Sequence, residues 1–261
     1  MTRARRRLEI AMPWIVIITL LIVWQAVVQI FAIRQFVLPA PTAIYAAFLE
    51  YRAPIMDHAL FTLMNTLAGF AIGIVVGVVL GVVIGSFRLA QAGLYPLLVG
   101  LNSVPKAAVV PILVLWMGIG QPPAIATAFL LSFFPIAVNV ATGLATVEPE
   151  LEDVLRSLGA TRFDILRKVG LPRTMPYFFA SLKVAITLAF VGAVISETVA
   201  SNDGIGYLML QSASQFRVPL MFAGLAVIAA MGITTYAIFA LLEQRFTGWA
   251  TRRQDTQFGG G

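Results

Sequence analysis

The chain has 261 residues, of which 59% are hydrophobic and 11% charged, and its net charge is +6. Soluble domains carry about 25% charged residues, so this composition excludes an ordinary soluble domain and indicates an integral membrane protein. The absence of cysteine and the single histidine, His58, exclude a disulfide framework and a Cys- or His-cluster metal site. Nucleic acid is excluded as a partner, because the basic residues flank apolar stretches.

Six apolar stretches of about 20 residues are each long enough to cross a bilayer. The first resembles a signal peptide, but its apolar run is too long and no A-x-A-like site follows it closely, which predicts an uncleaved span. Pro105 and Lys106 interrupt the third stretch, which leaves open a short broken segment followed by a span that starts near Ala107. Between the first two spans, Thr42 is predicted to cap a short helix over Ala43–Tyr51. The predicted spans are Pro13–Ala32, Thr66–Ser86, Pro96–Met117, Ala124–Leu144, Pro176–Ile195 and Leu220–Leu242.

The basic residues are distributed unequally between the two sides that the spans create. Both termini lie on the more basic side, together with the segment between the fourth and fifth spans, and this side is therefore predicted to be cytoplasmic. The opposite side carries only Arg34, Arg52 and Arg217. The more basic side carries Arg3, Arg5, Arg6, Arg7, Arg88, Arg156, Arg162, Arg167, Lys168, Arg173, Arg245, Arg252 and Arg253.

The polar segment Glu148–Arg173 has the pattern of two short helices. Gly159 is predicted to end the first helix, since glycine is favoured just after a helix C-terminus. Thr161 is predicted to cap the second helix, with Asp164 as the acidic half of a capping box, and Pro172 is predicted to end it. The apolar residues at helical spacing are Leu151, Val154, Leu155 and Leu158 in the first helix, and Phe163, Leu166 and Val169 in the second. This pattern predicts an amphipathic helix–turn–helix outside the bilayer that docks onto another protein.

The same segment resembles the EAA loop of ABC-importer permeases, whose pattern is roughly E-A-A-x3-G-x9-I-x-L-P. Nine residues separate Gly159 from the run Val169-Gly170-Leu171-Pro172. At the start of the pattern, Asp153 stands in place of Glu, and Val154 and Leu155 replace the two alanines. Nearly the whole chain is similar to the nitrate/sulfonate/taurine branch of these permeases. The other stretches that carry this similarity are Leu38-Pro39-Ala40-Pro41, Pro105-Lys106 with Leu115-Trp116-Met117-Gly118-Ile119-Gly120, Phe133-Phe134-Pro135-Ile136, and Glu197 with Gly204-Ile205-Gly206-Tyr207-Leu208.

The resemblance implies an all-α integral membrane protein of six transmembrane helices, with a cytoplasmic helix–turn–helix coupling loop between spans four and five. It divides the chain into a basic cytoplasmic N-terminus (1–12), a six-span permease domain (13–247, with the coupling loop at 148–173) and a cytoplasmic tail (248–261). The residues expected to couple the permease to its ATPases are Glu150, Asp153, Leu155, Leu158, Gly159, Ala160, Arg162, Phe163, Leu171 and Pro172.

The resemblance also implies partners, as expected for the membrane subunit of an ATP-driven importer in the bacterial inner membrane. Two ABC ATPase subunits are expected on the cytoplasmic side and a periplasmic or lipid-anchored substrate-binding protein outside. A second copy of the chain is expected to complete the pathway, most simply as a homodimer in lipid. ATP and magnesium are expected on the ATPases, so that this chain has no cofactor and is not an enzyme.

The substrate implied by the branch is a small anion such as nitrate, a sulfonate, taurine or bicarbonate. A pyrimidine-like vitamin precursor or an aromatic acid remains open as the substrate of the same importer type. In importers of this type the external binding protein usually carries selectivity, so the permease sequence alone does not decide between these classes.

The second predicted span carries a glycine at every fourth position. Such a row lets another helix backbone approach closely, and that helix can belong to the same subunit or to a second one. The row is not a phosphate-binding loop, because no strand precedes it and no Lys-Ser pair ends it. The glycines are Gly69, Gly73, Gly77, Gly81 and Gly85.

Polar residues in or beside the spans are candidates for the pathway and its gates. Any one of them can instead form an interhelical hydrogen bond. Lys183 in the fifth span is expected to snorkel or to have a structural role. For Glu197, helix capping, an ion pair and an outer gate all remain open. The candidates are Asn102, Ser103, Lys106, Asn139, Thr187 and Glu197.

The main alternative from another class is a self-sufficient secondary transporter or channel. Such folds often show inverted repeats and intramembrane carboxylates for coupling ions, and the sequence shows neither pattern. A membrane enzyme is disfavoured because HExxH, GxSxG and nucleotide-binding motifs are missing from the sequence. A scaffold subunit would leave the amphipathic segment Glu148–Arg173 unexplained.

Overall fold

The computed structural model describes residues 3–255, and the regular structure in this range is helical, without strands. The all-α class predicted from the sequence is confirmed. A π-helical turn, Leu166–Gly170, connects α8 to α9. The helices are α1 (Arg3–Ile30), α2 (Pro41–Glu50), α3 (Arg52–Ser86), α4 (Arg88–Ser103), α5 (Lys106–Met117), α6 (Gln121–Ala145), α7 (Pro149–Ser157), α8 (Arg162–Ile165), α9 (Leu171–Ala200), α10 (Ile205–Ser214) and α11 (Val218–Asp255).

Within the described residues, five helical stretches are long and apolar enough to cross a membrane. They are Ala11–Ile30, Arg52–Ser86, Gln121–Ala145, Arg162–Ala200 and Val218–Gly248. The helices α4 and α5 qualify only as a pair, bent by 91°, which brings the number of candidate spans to six.

The third predicted span, Pro96–Met117, is therefore not a continuous helix but is broken at Pro105. The alternative of a separate span that starts near Ala107 is not observed either, because Lys106–Met117 has only 12 residues. Proline has no N–H for the helix ladder and disfavours helical backbone in the residue before it. Val104 and Pro105 are accordingly extended, with ψ angles of 127° and 107°. The helix then restarts at Lys106.

The centre of the molecule is a slab formed by α3, α6 and α9, called here the central slab. The glycine row of α3 lies against α6, where a Cβ added at Gly69 would lie 2.5 Å from the Ile125 carbonyl oxygen. The helix α9 approaches α6 as closely, since a Cβ added at Gly192 would lie 2.7 Å from the Thr127 carbonyl oxygen. Along the row, Gly69, Gly73, Gly77, Gly81 and Gly85 face Ala128, Ser132, Ile136, Val140 and Leu144 of α6 in turn.

The helices α1 and α11 lie at the periphery and expose apolar side chains. Trp14 of α1 is 67% exposed and Ile233 of α11 is 70% exposed. Trp24 meets Phe222 with ring centroids 6.2 Å apart, which joins the two helices. Apolar surface of this extent belongs against lipid or another membrane subunit.

The short helix α2 begins earlier than predicted. Pro41 lies in its first turn, and Ala40 precedes it in extended backbone without a side-chain cap. The predicted cap at Thr42 is therefore wrong, because its N–H and hydroxyl donate to Gln25 Oε1 of α1 at 3.3 and 3.4 Å. The fixed φ and missing N–H of proline suit the first helical position, which explains the earlier start.

Candidate functional site

The segment Glu148–Arg173, called here the two-helix element, contains α7, α8 and the π-helical turn. The helix α7 ends at Ser157, and Gly159 follows with a φ of +86°. This left-handed conformation costs non-glycine residues about 1–2 kcal/mol. The space around Gly159 is open, so backbone conformation rather than crowding accounts for the glycine. The helix end predicted at Gly159 is present.

The start of α8 carries the predicted capping box. The Thr161 hydroxyl oxygen accepts the Asp164 N–H at 3.2 Å, and Asp164 Oδ2 accepts the Thr161 N–H at 3.1 Å. These reciprocal bonds satisfy two donors that the first turn of a helix otherwise leaves unpaired. Lys168 lies 3.8 Å from Asp164 on the same face. The direction in which the chain leaves the Gly159 turn is thereby fixed.

Pro172 does not end the second helix, and this prediction is wrong. The Leu171 N–H donates to the Leu166 carbonyl across the π-helical turn, and Leu171 and Pro172 then form the first turn of α9. Pro172 removes one N–H from this stretch, and the π-helical turn directly before it is the irregularity that accompanies the loss. Arg162–Ala200 is therefore one helical stretch of 39 residues. At 1.5 Å per residue it is about 58 Å long, and it connects the two-helix element directly to the far end of α9.

The two-helix element presents apolar side chains outward. Val154, Leu158 and Phe163 are 57%, 79% and 68% exposed. A cleft of about 340 Å³ lies beside them, lined by Leu155, Leu158, Gly159, Ala160, Asp164, Ile165, Lys168 and Val169. An apolar patch beside a concave surface, surrounded by charged residues, has the composition of a protein docking site.

The other predicted coupling residues lie on the same element. Arg173 lies 3.7 Å from Glu148 and joins the two ends of the element, but both side chains are solvent-exposed, so the pair adds little stability. The exposed members of the predicted set are Glu150, Asp153, Leu158, Gly159, Arg162, Phe163, Leu171 and Pro172, and the half-buried members are Leu155 and Ala160.

Three of the predicted pathway residues come together at the bend between α4 and α5. The Lys106 ammonium donates to the carbonyl oxygen of Asn102 and, at 2.8 Å, to its Oδ1. The Ser103 hydroxyl donates to the Val99 carbonyl at 3.0 Å. Asn102 and Ser103 are exposed, and Lys106 is half-buried. The bend therefore presents a cation, an amide and a hydroxyl beside a break in the backbone.

The remaining pathway candidates lie apart from this bend. The Asn139 amide donates to the Pro135 carbonyl at 2.8 Å within α6, and the exposed Thr187 hydroxyl donates to the Lys183 carbonyl at 3.1 Å within α9. Glu197 is 1% exposed and accepts the Thr62 hydroxyl at 2.8 Å and the Gly206 N–H at 3.1 Å. Within the described part of the chain, no lysine or arginine pairs with it.

An ion pair between α9 and α11 was missed by the sequence analysis. Lys183 Nζ lies 2.5 Å from Glu243 Oε2, and the side chains are 20% and 22% exposed. The ammonium also lies 6.0 Å from the centre of the Tyr236 ring. Of the two roles open for Lys183, the structural one is observed. Glu243 directly follows the last predicted span and lies 60 residues from Lys183, so no local pattern in the sequence pairs the two.

We expect the Lys183–Glu243 pair to hold α11 against the central slab. Lys183→Glu should lower the thermal stability of the detergent-solubilised protein, because two carboxylates would then face each other in a poorly solvated site. Adding Glu243→Lys should restore most of the loss, with a coupling energy of about 1–3 kcal/mol. Size-exclusion chromatography after graded heating measures the loss of thermal stability in the single variant and its recovery in the double variant. A double variant no more stable than the single one would contradict this role.

Residues 73–248 match the family described as "Binding-protein-dependent transport system inner membrane component". The chain is 35% identical to the riboflavin transport system permease protein RibX of Chloroflexus aurantiacus, over 90% of this chain and 88% of that protein. It is 29% identical to the formylaminopyrimidine transport permease protein ThiX of Halalkalibacterium halodurans, over 97% of this chain and 100% of that one.

The name of a third relative describes it as a sulfonate permease. The putative aliphatic sulfonates transport permease protein SsuC of Bacillus subtilis is 27% identical over 87% of this chain and 83% of that one. Among solved structures, a chain of the MetNI methionine ABC transporter in an inward-facing conformation superposes with a TM-score of 0.66 at 19% identity, over 76% of this chain and 98% of that chain. At that identity the likeness concerns the fold.

Proposed function

Because this chain belongs to the family of binding-protein-dependent transport system inner membrane components, and is an ABC importer permease, we propose that separate ATPase subunits drive it through the two-helix element. The observation that carries this proposal is the exposed patch of Val154, Leu158 and Phe163 on an element that continues into α9. ATP and magnesium then bind to the ATPases, and this chain needs no cofactor of its own.

The mechanism follows from the continuity of the helix Arg162–Ala200. A displacement of the two-helix element by closing ATPases is carried along this helix into the central slab. The slab then reorients as a body, because its helices touch backbone to backbone and are not continuously deformable. ATP binding thereby biases an equilibrium between inward-open and outward-open arrangements.

The pathway is proposed to lie between two copies of this chain, at the bend between α4 and α5. Non-helical backbone at membrane depth is tolerated only where protein or a water-filled cavity covers it. In the single chain, Asn102 and Ser103 are exposed and Lys106 is half-buried. In the membrane these polar side chains must therefore face protein or water and not lipid. A homodimer with the two bends facing each other satisfies this condition, and Asn139 and Thr187 remain candidates for later steps of the pathway.

The substrate class is proposed from the relatives and from the bend. The 35% identity to a riboflavin permease and the 29% identity to a formylaminopyrimidine permease favour a small heterocycle such as a vitamin or its precursor. The sulfonate permease at 27% identity, together with the Lys106 ammonium at the bend, favours a small anion as the second candidate. Mass spectrometry of the ligand that copurifies with the cognate binding protein decides between them.

The orientation is proposed from the basic residues, with both termini and the two-helix element in the cytoplasm. Because the chain has no cysteine, single cysteines at the exposed positions Arg162 and Asp203 give clean labelling sites. In intact cells a membrane-impermeant maleimide should label Asp203→Cys and should label Arg162→Cys only after permeabilisation. Labelling of Arg162→Cys in intact cells would contradict this orientation.

The docking proposal is tested by copurification. The cognate ATPase subunits should copurify with this chain from detergent, and their ATP hydrolysis should rise when the loaded binding protein is added. A permease that transports its substrate without bound ATPases would contradict the proposal.

A further inference from the structure

The helix α10 has no cap of its own. Gly204 stands at its N-cap position and offers no side chain. Instead, the N–H groups of the N-cap and of the first two residues of α10 donate to side chains of α3 and α9. The three bonds run from Gly204 N–H to His58 Nδ1 (3.1 Å), from Ile205 N–H to Thr62 Oγ1 (2.8 Å) and from Gly206 N–H to Glu197 Oε2 (3.1 Å).

Two glycines make room for the Glu197 carboxylate. Gly204 has a φ of +96°, and a Cβ there would lie 2.3 Å from the carboxyl carbon of Glu197. A Cβ at Gly206 would lie 2.8 Å from Glu197 Cβ. The Thr62 hydroxyl donates to the same carboxylate oxygen that accepts the Gly206 N–H. The end of α9, the start of α10 and the outer part of α3 are therefore shaped around one carboxylate.

A carboxylate is an expensive choice at this position. Glu197 is 1% exposed, and its Oε1 has no hydrogen-bond partner within the described part of the chain. Two hydrogen bonds to Oε2, the neighbouring Asn65 side chain and the positive end of the α10 dipole offset part of this cost. At a position that needs only packing, an apolar side chain of similar volume stabilises a fold as well as a buried carboxyl group does, or better. Such a departure from local rules is typical of a functional position.

The attachment joins α10 to the mechanical core of the protein. His58 and Thr62 belong to α3, and Glu197 lies near the end of α9. Both helices are part of the central slab, and the helical stretch of α9 begins in the two-helix element at Arg162. Glu197 and the two-helix element are therefore at opposite ends of one helical stretch. In contrast, α11 follows α10 and packs at the periphery.

We propose that His58, Thr62 and Glu197 form a latch that fixes the start of α10 to the central slab, so that α10 moves with the two-helix element. Glu197 is then a positioning residue: it transmits the motion at the ATPase end to the opposite face, where the binding protein docks. This inference rests on the proposed function for the direction of transmission, but the latch itself does not depend on any partner.

The latch is tested directly by a distance between α9 and α10. Spin labels on cysteines at the exposed positions Ala180 and Gln211 report this distance in the full chain in nanodiscs, with labelled chains diluted into unlabelled ones so that a second copy adds no intersubunit distance. With Glu197 in place, the distances between the two labels should form a single narrow distribution. Glu197→Ala should broaden or shift this distribution. Glu197→Gln keeps an oxygen acceptor for the Gly206 N–H, so its distance distribution should remain narrow. A distribution unchanged by Glu197→Ala would overturn the latch.

Transmission is tested in the assembled importer. With Glu197→Ala, the ATPases should copurify and hydrolyse ATP at the basal rate, but stimulation by the binding protein should fall by about tenfold or more. Glu197→Gln should recover stimulation to within about threefold of the unmodified protein. A matched control is Ser196→Ala, which removes an adjacent buried hydroxyl that has no hydrogen-bond partner among residues 3–255 and should change neither readout.

Two outcomes would overturn the transmission claim. One is stimulation of Glu197→Ala at the level of the unmodified protein. The other is a parallel loss of copurification, basal hydrolysis and stimulation, which marks Glu197 as a folding residue only. Failure of the unmodified chain to bind ATPases contradicts the proposed function instead, and the spin-label distances still report on the latch in that case.

Discussion

Replacing Gly77 with leucine should prevent the protein from folding into a stable particle. A Cβ at Gly77 would lie 2.8 Å from both Ile136 Cβ and the Phe133 carbonyl oxygen of α6, and leucine adds three further carbons in the same place. Overpacking of this kind costs about 1–3 kcal/mol or more, and here the obstacle includes backbone that cannot rotate away. If leucine forces α3 and α6 apart, contacts with lipid do not compensate for the packing that the two helices lose. We expect aggregation on size-exclusion chromatography in detergent.

The matched control for Gly77→Leu is Gly232→Leu in α11. Among the described residues, a Cβ at Gly232 would meet no atom within 4 Å outside its own turn of the helix, so leucine there has room. This variant should elute as the unmodified protein does. If Gly77→Leu also eluted as a monodisperse particle with unchanged thermal stability, the close contact between α3 and α6 would be refuted.

The second large effect is expected from Phe163→Asp on the two-helix element. Phe163 is 68% exposed, so the substitution should leave the fold intact. In the complex its ring is proposed to enter a groove on the ATPase, where loss of an aromatic anchor costs about 2 kcal/mol or more, or about thirtyfold in affinity. Copurified ATPase should therefore fall sharply, and uptake with it, while hydrolysis by the isolated ATPase is unaffected.

The control for Phe163→Asp is Phe216→Asp. Phe216 is 79% exposed and follows α10, near the end of the molecule opposite the two-helix element, and its φ of +57° is one that aspartate adopts more readily than most residues. The same change of chemistry at this position should leave ATPase binding at its original level. Equal loss of the ATPases in both variants would show a general defect, and retention in both would remove Phe163 from the docking site.

The parts of the structure governed by neighbours in sequence could be predicted. The helix end at Gly159 and the capping box of Thr161 and Asp164 depend on contacts within a few residues, and both are present. The break at Pro105 follows from proline chemistry, but its angle of 91° does not, because it depends on what each half packs against. The continuation of the helix through Pro172 could not be predicted for a related reason, since it depends on the π-helical turn Leu166–Gly170.

The parts governed by long-range contacts could not be predicted. Glu197 could be recognised as an unusual residue, but its partner Thr62 lies 135 positions away. The choice among capping, pairing and gating therefore needed the fold. The same holds for Lys183 and Glu243, which face each other only because α9 and α11 pack together. A list of ionisable residues near spans identifies the participants and leaves the pairings open.

The most direct test of the central claim is substrate uptake into proteoliposomes that contain this chain and its cognate ATPases. The probe is the ligand recovered from the cognate binding protein, supplied outside with that protein, with ATP or ADP enclosed. The account predicts uptake only with ATP and the binding protein, unaffected by ionophores and lost with Phe163→Asp. Uptake driven by an ion gradient with ADP enclosed, or without the ATPases, would contradict it and would identify a secondary transporter.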